Sequence, residues 1–173
     1  ALDDAGRHRW GPIAPAARIE VDLFSPGLRW QGNAYLDSNE GDEPIDRPFL
    51  RWDWLRTAEP GGGCRVVYDT TLRSGQRRAF GLHFDAQGQA SAFEPPPAQA
   101  LPVSAWRVAG TVCSDTAPTL VQRLEDTPFH ARNLVRLSLQ GQQREAVHET
   151  LDVNRLVYPA VQWMLPWRMP RWR

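Results

Sequence analysis

Tyr35 and Asp37 stand two residues apart in the stretch GNAYLD, residues 32–37. Successive side chains of a strand alternate between faces. A strand that reaches Asp37 therefore sets a phenol and a carboxyl side by side. Asp37 also opens an acidic turn carrying Glu40, Asp42, Glu43 and Asp46, flanked by the aromatics Tyr35, Phe49, Trp52 and Trp54. An exposed aspartic acid, with a pKa of about 3.9, is almost fully ionised at neutral pH. Burial against apolar walls penalises the charged form, so a carboxyl among indoles can keep its proton. Protonating an unactivated carbon–carbon double bond requires such a retained proton, and Asp37 is the expected donor.

The same residues have plainer uses. An Asp at the head of a turn caps backbone amides, and a Tyr in a sheet wall needs only a partner for its hydroxyl. Trp52 and Trp54 share a strand face with Leu50. They fit either a packed core or the wall of a site for a long apolar species. Asp42, Glu43 and Asp46 read as a solvated acidic loop, since DSNEGDE lacks the ligand order and terminal Glu of a calcium loop. His148 and Glu149 are adjacent, so on a strand they point to opposite faces and a structural use is expected.

Short strands must hold these groups. Residues 1–17 contain Gly11, Pro12 and Pro15 and read as loop. Residues 18–24 alternate strictly, Ser25-Pro26-Gly27 is a turn, and residues 28–36 return, which makes a hairpin. Residues 38–48 read as polar loop and 49–55 as strand. A turn at 59–63 leads to a hairpin of 65–72 and 78–84 around Ser74-Gly75. A turn at 85–88 and a short strand at 90–93 follow. PPPAQALP at 95–102 is an extended, polyproline-like connection. Strands are expected at 106–112 and 120–124, and a hairpin of 133–139 and 145–151 around Gln140-Gly141. Asp152 is placed to cap a helix from Val153, which Pro159 interrupts or restarts. The pattern is all-β, a barrel or sandwich with a short C-terminal helix. A barrel of roughly eight strands can hold one small ligand.

Composition narrows the function. The 173 residues carry zero formal net charge, and every one of the positive side chains is Arg. There is thus no basic footprint for nucleic acid. Cys64 and Cys113 form no CxxC, and His8, His83, His130 and His148 lack ligand spacing, so no metal site is expected. No apolar run is long enough for a transmembrane helix. The eight Trp exceed ordinary usage and suit core packing or a site for an apolar or cationic species. The opening at Ala1, in a polar turn, reads as mid-chain, so a fragment or processed form is expected.

Six separated motifs then occur in order: GRHRWGPIAP at 6–15, GNAYLDSNEGDEPID at 32–46, RWDW at 51–54, LEDTPFHAR at 124–132, HETLDVNR at 148–155 and MLPWRMPR at 164–171. Together they closely resemble the carotenoid 1,2-hydratases, or hydroxyneurosporene synthases, almost end to end. The resemblance implies a two-domain, lipocalin-like β-barrel architecture. It implies that residues 1–47 are the closing strands of an N-terminal lipocalin-like domain whose remainder is absent, and that 48–173 form a C-terminal lipocalin-like domain. It also implies a bacterial, cofactor-free hydro-lyase that adds water across the terminal C1=C2 bond of acyclic carotenes such as neurosporene and lycopene. Its site would involve a His-x-Trp and a Tyr-x-Asp pair, here His8, Trp10, Tyr35 and Asp37.

On that basis Tyr35 would bond Asp37 or position the water, and Trp10 would face a developing cation. His8 would re-protonate Asp37 or accept the water's proton. Trp52 and Trp54 are the expected substrate contacts. The Trp- and Arg-rich C-terminal run suits a membrane interface, so peripheral membrane contact is expected. Two other readings keep the barrel: a non-catalytic carrier of a lipophilic polyene, and an isomerising enzyme. A carrier has no need of Tyr35 and Asp37 on one wall.

Overall fold

The computed structural model describes residues 1–167. Its first element is a long hairpin, β1 (His8–Leu23) and β2 (Leu28–Gly41). The pair runs in antiparallel register from His8 opposite Gly41 to Leu23 opposite Leu28. Strand β1 therefore begins ten residues before the strand expected at 18, and β2 continues four residues into the expected loop. The prolines that argued against a strand are tolerated because β1 pairs only with β2 among the described residues. Its other edge needs no backbone donor. The register also slips between Pro12 and Ala14 and between Ala14 and Ala17.

Seven further strands form one antiparallel sheet: β3 (Phe49–Ala58), β4 (Cys64–Leu72), β5 (Arg77–Phe84), β6 (Ala90–Phe93), β9 (Thr119–Asp126), β10 (His130–Leu139) and β11 (Gln142–Asp152). Their spatial order is β6-β5-β4-β3-β11-β10-β9. No ladder joins β6 to β9 among the described residues, so the sheet is open in its hydrogen bonding. Between β6 and β9 lie β7 (Ala98–Ala100) and β8 (Thr111–Cys113), which pair with each other. The fold is all-β, as expected, and two short helices follow the sheet among the described residues: α1 (Val153–Leu156) and α2 (Pro159–Met164). Asp152 caps α1 by accepting from the Arg155 backbone N–H at 3.1 Å, and Pro159 opens α2.

Both faces of the large sheet are covered, because its strands carry apolar residues in both registers. On one face Leu2, Phe49, Cys64, Val66, Tyr68, Leu72, Phe84 and Val153 are buried, with Trp10, Tyr35, Trp52 and Trp54 packed against them. The β1–β2 hairpin lies on this side. On the other face Leu55, Val67, Val135, Leu137, Leu139 and Ala146 pack with Leu101, Val112 and Cys113. Strand β3 shows the alternation directly: Trp52 and Trp54 face the hairpin, while Asp53 and Leu55 face β8.

Two expectations fail in the connection between β6 and β9. The polyproline-like stretch contains β7, and the strand expected at 106–112 is reduced to β8. A local turn wins there: Ser104 Oγ accepts from the Val108 N–H at 3.1 Å, Arg107 takes a left-handed φ of 60°, and Trp106 is exposed. The aromatic–basic run at 164–173 lies within the described residues only as far as Trp167.

Candidate active site

Three of the four proposed catalytic residues meet at one oxygen. The Trp10 indole N–H donates to Asp37 Oδ2 at 2.7 Å, and the Tyr35 hydroxyl donates to the same oxygen at 2.8 Å. Period two brings Tyr35 to Asp37 along β2. Trp10 arrives across the hairpin, since Pro12 lies opposite Asp37 and Trp10 opposite Asn39. With both donors on Oδ2, Oδ1 is left to carry a proton when the acid is neutral. Two fixed partners also lock the carboxyl in one orientation.

The walls are aromatic. The Trp10 ring lies 5.0 Å from Tyr68, 6.0 Å from Phe80 and 6.4 Å from Phe84, and Tyr35 lies 5.6 Å from Trp54. Arg56 stands over the Tyr35 ring at 5.3 Å. Burial, reinforced by the hydrogen bond to Asp37 and its charge, holds the Tyr35 phenol well above its ordinary range. It therefore donates a hydrogen bond and does not ionise. Burial does the same to Tyr68, whose hydroxyl donates to Asn39 Oδ1 at 3.2 Å. The Trp54 indole N–H and the Arg56 Nε–H are buried without a hydrogen-bond partner.

His8 does not join this group. It is 5% exposed and packs edge-on against Phe49 at 5.2 Å. Its Nε2 meets the Glu43 carbonyl oxygen at 3.0 Å, and its Nδ1 lies 3.5 Å from Asp3 Oδ2. The expected proton relay between His8 and Asp37 thus has no direct contact behind it. Trp54 touches Tyr35 and borders the site. Trp52 stands one shell further back, against Phe49 at 5.6 Å and Tyr68 at 5.8 Å.

Tyr68, Phe80, Asn39 and Arg56 were not picked out from sequence. Alternation in β4 and β5 does put Tyr68 and Phe80 on one face, and they stack at 5.7 Å. Which face meets the hairpin is a tertiary fact with no local signal. The acidic turn is tied down by ion pairs: Arg9 holds Asp42 at 2.8 Å and Arg7 holds Glu43 at 3.0 Å.

His148 and Glu149 point to opposite faces, as expected. His148 is buried against the Thr111 carbonyl at 2.9 Å and Asn133 at 3.2 Å. Buried Asp53 accepts from Thr150 Oγ1 at 2.6 Å and Thr111 Oγ1 at 3.1 Å, which fastens β8 to the sheet. Burial pushes the Glu149 carboxyl up, but His130 and Arg132 outweigh it and hold the group below its ordinary range.

The family model described as carotenoid hydratase CrtC matches residues 1–173. The chain is 51% identical to the acyclic carotenoid 1,2-hydratase of Rubrivivax gelatinosus, covering 99% of this chain and 43% of that protein. The enzyme of the same name from Thiocapsa roseopersicina is 48% identical, over 98% of this chain and 42% of its own length. That from Cereibacter sphaeroides is 40% identical, over 98% and 61%. The chain thus spans less than half the length of the first two relatives. A crystal structure assigned to AttH of Nitrosomonas europaea matches with a TM-score of 0.53 at 15% identity, over 80% of this chain and 49% of that one. That likeness concerns the fold.

Proposed function

This chain belongs to the carotenoid hydratase family, and from that premise we propose that it carries the acid site of an acyclic carotenoid 1,2-hydratase. The observation that carries the reading is the convergence of Trp10 and Tyr35 on one oxygen of Asp37 inside an aromatic wall. Neutral Asp37 gives its proton to C2 of the terminal C1=C2 bond. The electron pair of that bond forms the new C–H bond and leaves a tertiary cation at C1. Water attacks C1, and the proton it sheds returns to the Asp37 carboxylate, so one water is added and the acid is restored. Trp10 and Tyr35 stabilise the carboxylate as it forms, because both donors are already aimed at it. Aromatic faces stabilise the cation by about 0.5–2 kcal/mol each. The scheme moves one proton and one water without oxidation or reduction, so a cofactor-independent hydro-lyase is the natural class.

Three further parts belong to this reading. The substrate is an acyclic carotene such as neurosporene or lycopene. Such a substrate resides in a bilayer, and Tyr158, Trp163, Leu165 and Trp167 are exposed around α2. These make a surface for peripheral membrane contact in the bacterial cell. Among the described residues no helix is long and apolar enough to cross a membrane. Residues 1–47 close a second lipocalin-like unit, for which the further length of the relatives leaves room, and 48–173 belong to the other. The exposed Ile19, Leu23, Phe24, Leu28 and Trp30 of the distal hairpin support this. Hydrogen exchange tests it: residues 18–31, already paired with each other, should be protected more strongly in the full-length protein than in the 173-residue chain.

The main test uses full-length protein in cells that make lycopene, beside Asp37→Asn. Asn keeps the shape and has no acidic proton. The parent should yield product heavier by one water, and the variant none. Hydration that survives the substitution sinks Asp37 as the donor. Pigment bound but unchanged by a folded parent supports the carrier reading, and an altered product of unchanged mass supports an isomerase.

A further inference from the structure

Asp3, His8 and Glu43 come together at the open end of the hairpin, away from Asp37. One ligand-type atom from each lies within 4.8 Å of the others. Sequence spacing could not show this, because the fold alone brings the acidic turn after β2 back to the start of β1. Asp3 is 4% exposed and His8 5%. Asp3 Oδ1 is used, accepting the His8 backbone N–H at 3.0 Å, and Oδ2 faces the ring.

The imidazole is set up in an unusual way. Its Nε2 faces a backbone carbonyl, which only accepts, so Nε2 carries a hydrogen. In the neutral ring Nδ1 then presents a lone pair, and it is buried with no hydrogen-bond partner. A carboxylate oxygen, Asp3 Oδ2, lies 3.5 Å from it and also carries lone pairs. With a neutral ring two buried lone pairs face each other, and a cation between them, a proton or a metal ion, removes the conflict. The spacing suits one: ligands about 2.0–2.2 Å from a tetrahedral zinc ion are roughly 3.4 Å apart. A metal-bound His ordinarily gives its other N–H to a carbonyl or carboxylate, as Nε2 does here.

We infer that Asp3 Oδ2, His8 Nδ1 and a Glu43 carboxylate oxygen form a binding site for a divalent ion of the zinc type, with a fourth position for water. Arg7 takes Glu43 Oε2 at 3.0 Å and leaves the other oxygen free to bind. Its charge opposes the ion, as does that of Arg9, while Asp42 beside Arg9 favours it. Gly41 packs against the Cδ2–Nε2 edge of the ring, where a Cβ would stand 2.9 Å from it, and so helps fix its orientation. The ion would pin the chain start and the acidic turn to the end of β1, two residues from Trp10. His8 then serves as a ligand and positioning residue. The inference does not depend on the proposed reaction.

The test is calorimetric titration of chelator-stripped full-length protein with zinc chloride, paired with thermal melting. One equivalent should bind and raise Tm. Glu43→Gln, at a partly exposed position that does not threaten folding, should weaken binding by at least about tenfold, and Asp3→Asn should abolish it. No binding to the parent overturns the inference in favour of a protonated His8 paired with Asp3. Equal binding by the parent and Glu43→Gln also overturns it, since the ion then sits elsewhere. If Asp3→Asn fails to fold, Glu43→Gln decides.

Discussion

Replacing Tyr35 by Phe removes one hydroxyl, 2.8 Å from Asp37 Oδ2, and leaves the ring against Trp54 at 5.6 Å. The bond matters most when the carboxyl has given up its proton, because a hydrogen bond to a charged acceptor contributes about 1.5–3 kcal/mol. In the proposed reaction, part of that charge has developed at the transition state for proton transfer to carbon. At about 1.4 kcal/mol per factor of ten, kcat should fall roughly 10- to 100-fold. KM should hardly move, since the apolar wall is intact. Trp10→Phe removes the other donor to the same oxygen and should cost a similar factor. The two losses should not add, because each remaining donor tightens on an oxygen freed of its competitor. The assay is the initial rate of hydrated carotenoid formation by full-length enzyme at several substrate concentrations, for the parent, both variants and the double variant. A Tyr35→Phe enzyme with parental kcat refutes the argument. So does a variant whose whole defect lies in KM.

Other outcomes follow from the same contacts. Gly41→Ala drives a Cβ to 2.9 Å from His8 and 3.1 Å from the Glu43 carbonyl, so it should destabilise by about 1–3 kcal/mol in denaturant unfolding. Burial, then the charge of Asp69, pushes the Cys113 thiol up to about 12, and burial also raises Cys64. Neither should react with iodoacetamide at pH 8 until the protein is unfolded in urea; native labelling would contradict the burial. Glu149 has a lowered folded pKa, so its stabilisation is present above the ordinary carboxylate range and is lost as pH falls through the folded value. The stability deficit of Glu149→Gln should therefore be seen at pH 7 and fade below about pH 4; a pH-independent deficit would mean a packing effect. Asp53→Ala strands Arg51, Thr111 and Thr150 around a buried gap and should cost about 3 kcal/mol by thermal unfolding, without altering the environment of Asp37.

What could be read in the sequence was local. Alternation placed Tyr35 and Asp37 on one face, and Gly-containing turns set both large hairpins. Asp152 and Pro159 marked the helices. The prolines in residues 8–17 misled because their cost depends on whether the strand edge is paired, which is a property of the sheet. Trp10 reaching Asp37 depends on a cross-strand register beside a slip after Pro12. The departure of His8 toward Asp3 and Glu43 depends on where the chain ends of the hairpin fold back. Residues 101–110 failed for the opposite reason: Ser104 forms a turn that overrides the strand propensity around Trp106.

The acid and both of its donors come from one hairpin, whose backbone joins no ladder of the large sheet among the described residues. The aromatic lining comes from β3, β4 and β5. In the proposed function, reactivity and substrate shape therefore lie on separate pieces of chain. Under the proposed function, substitutions at Trp54, Tyr68 or Phe80 would reshape the aromatic wall, while the hydrogen bonds of Asp37 stay within their own two strands. Under that function, such a division would let a lineage of enzymes change diet without relearning its chemistry.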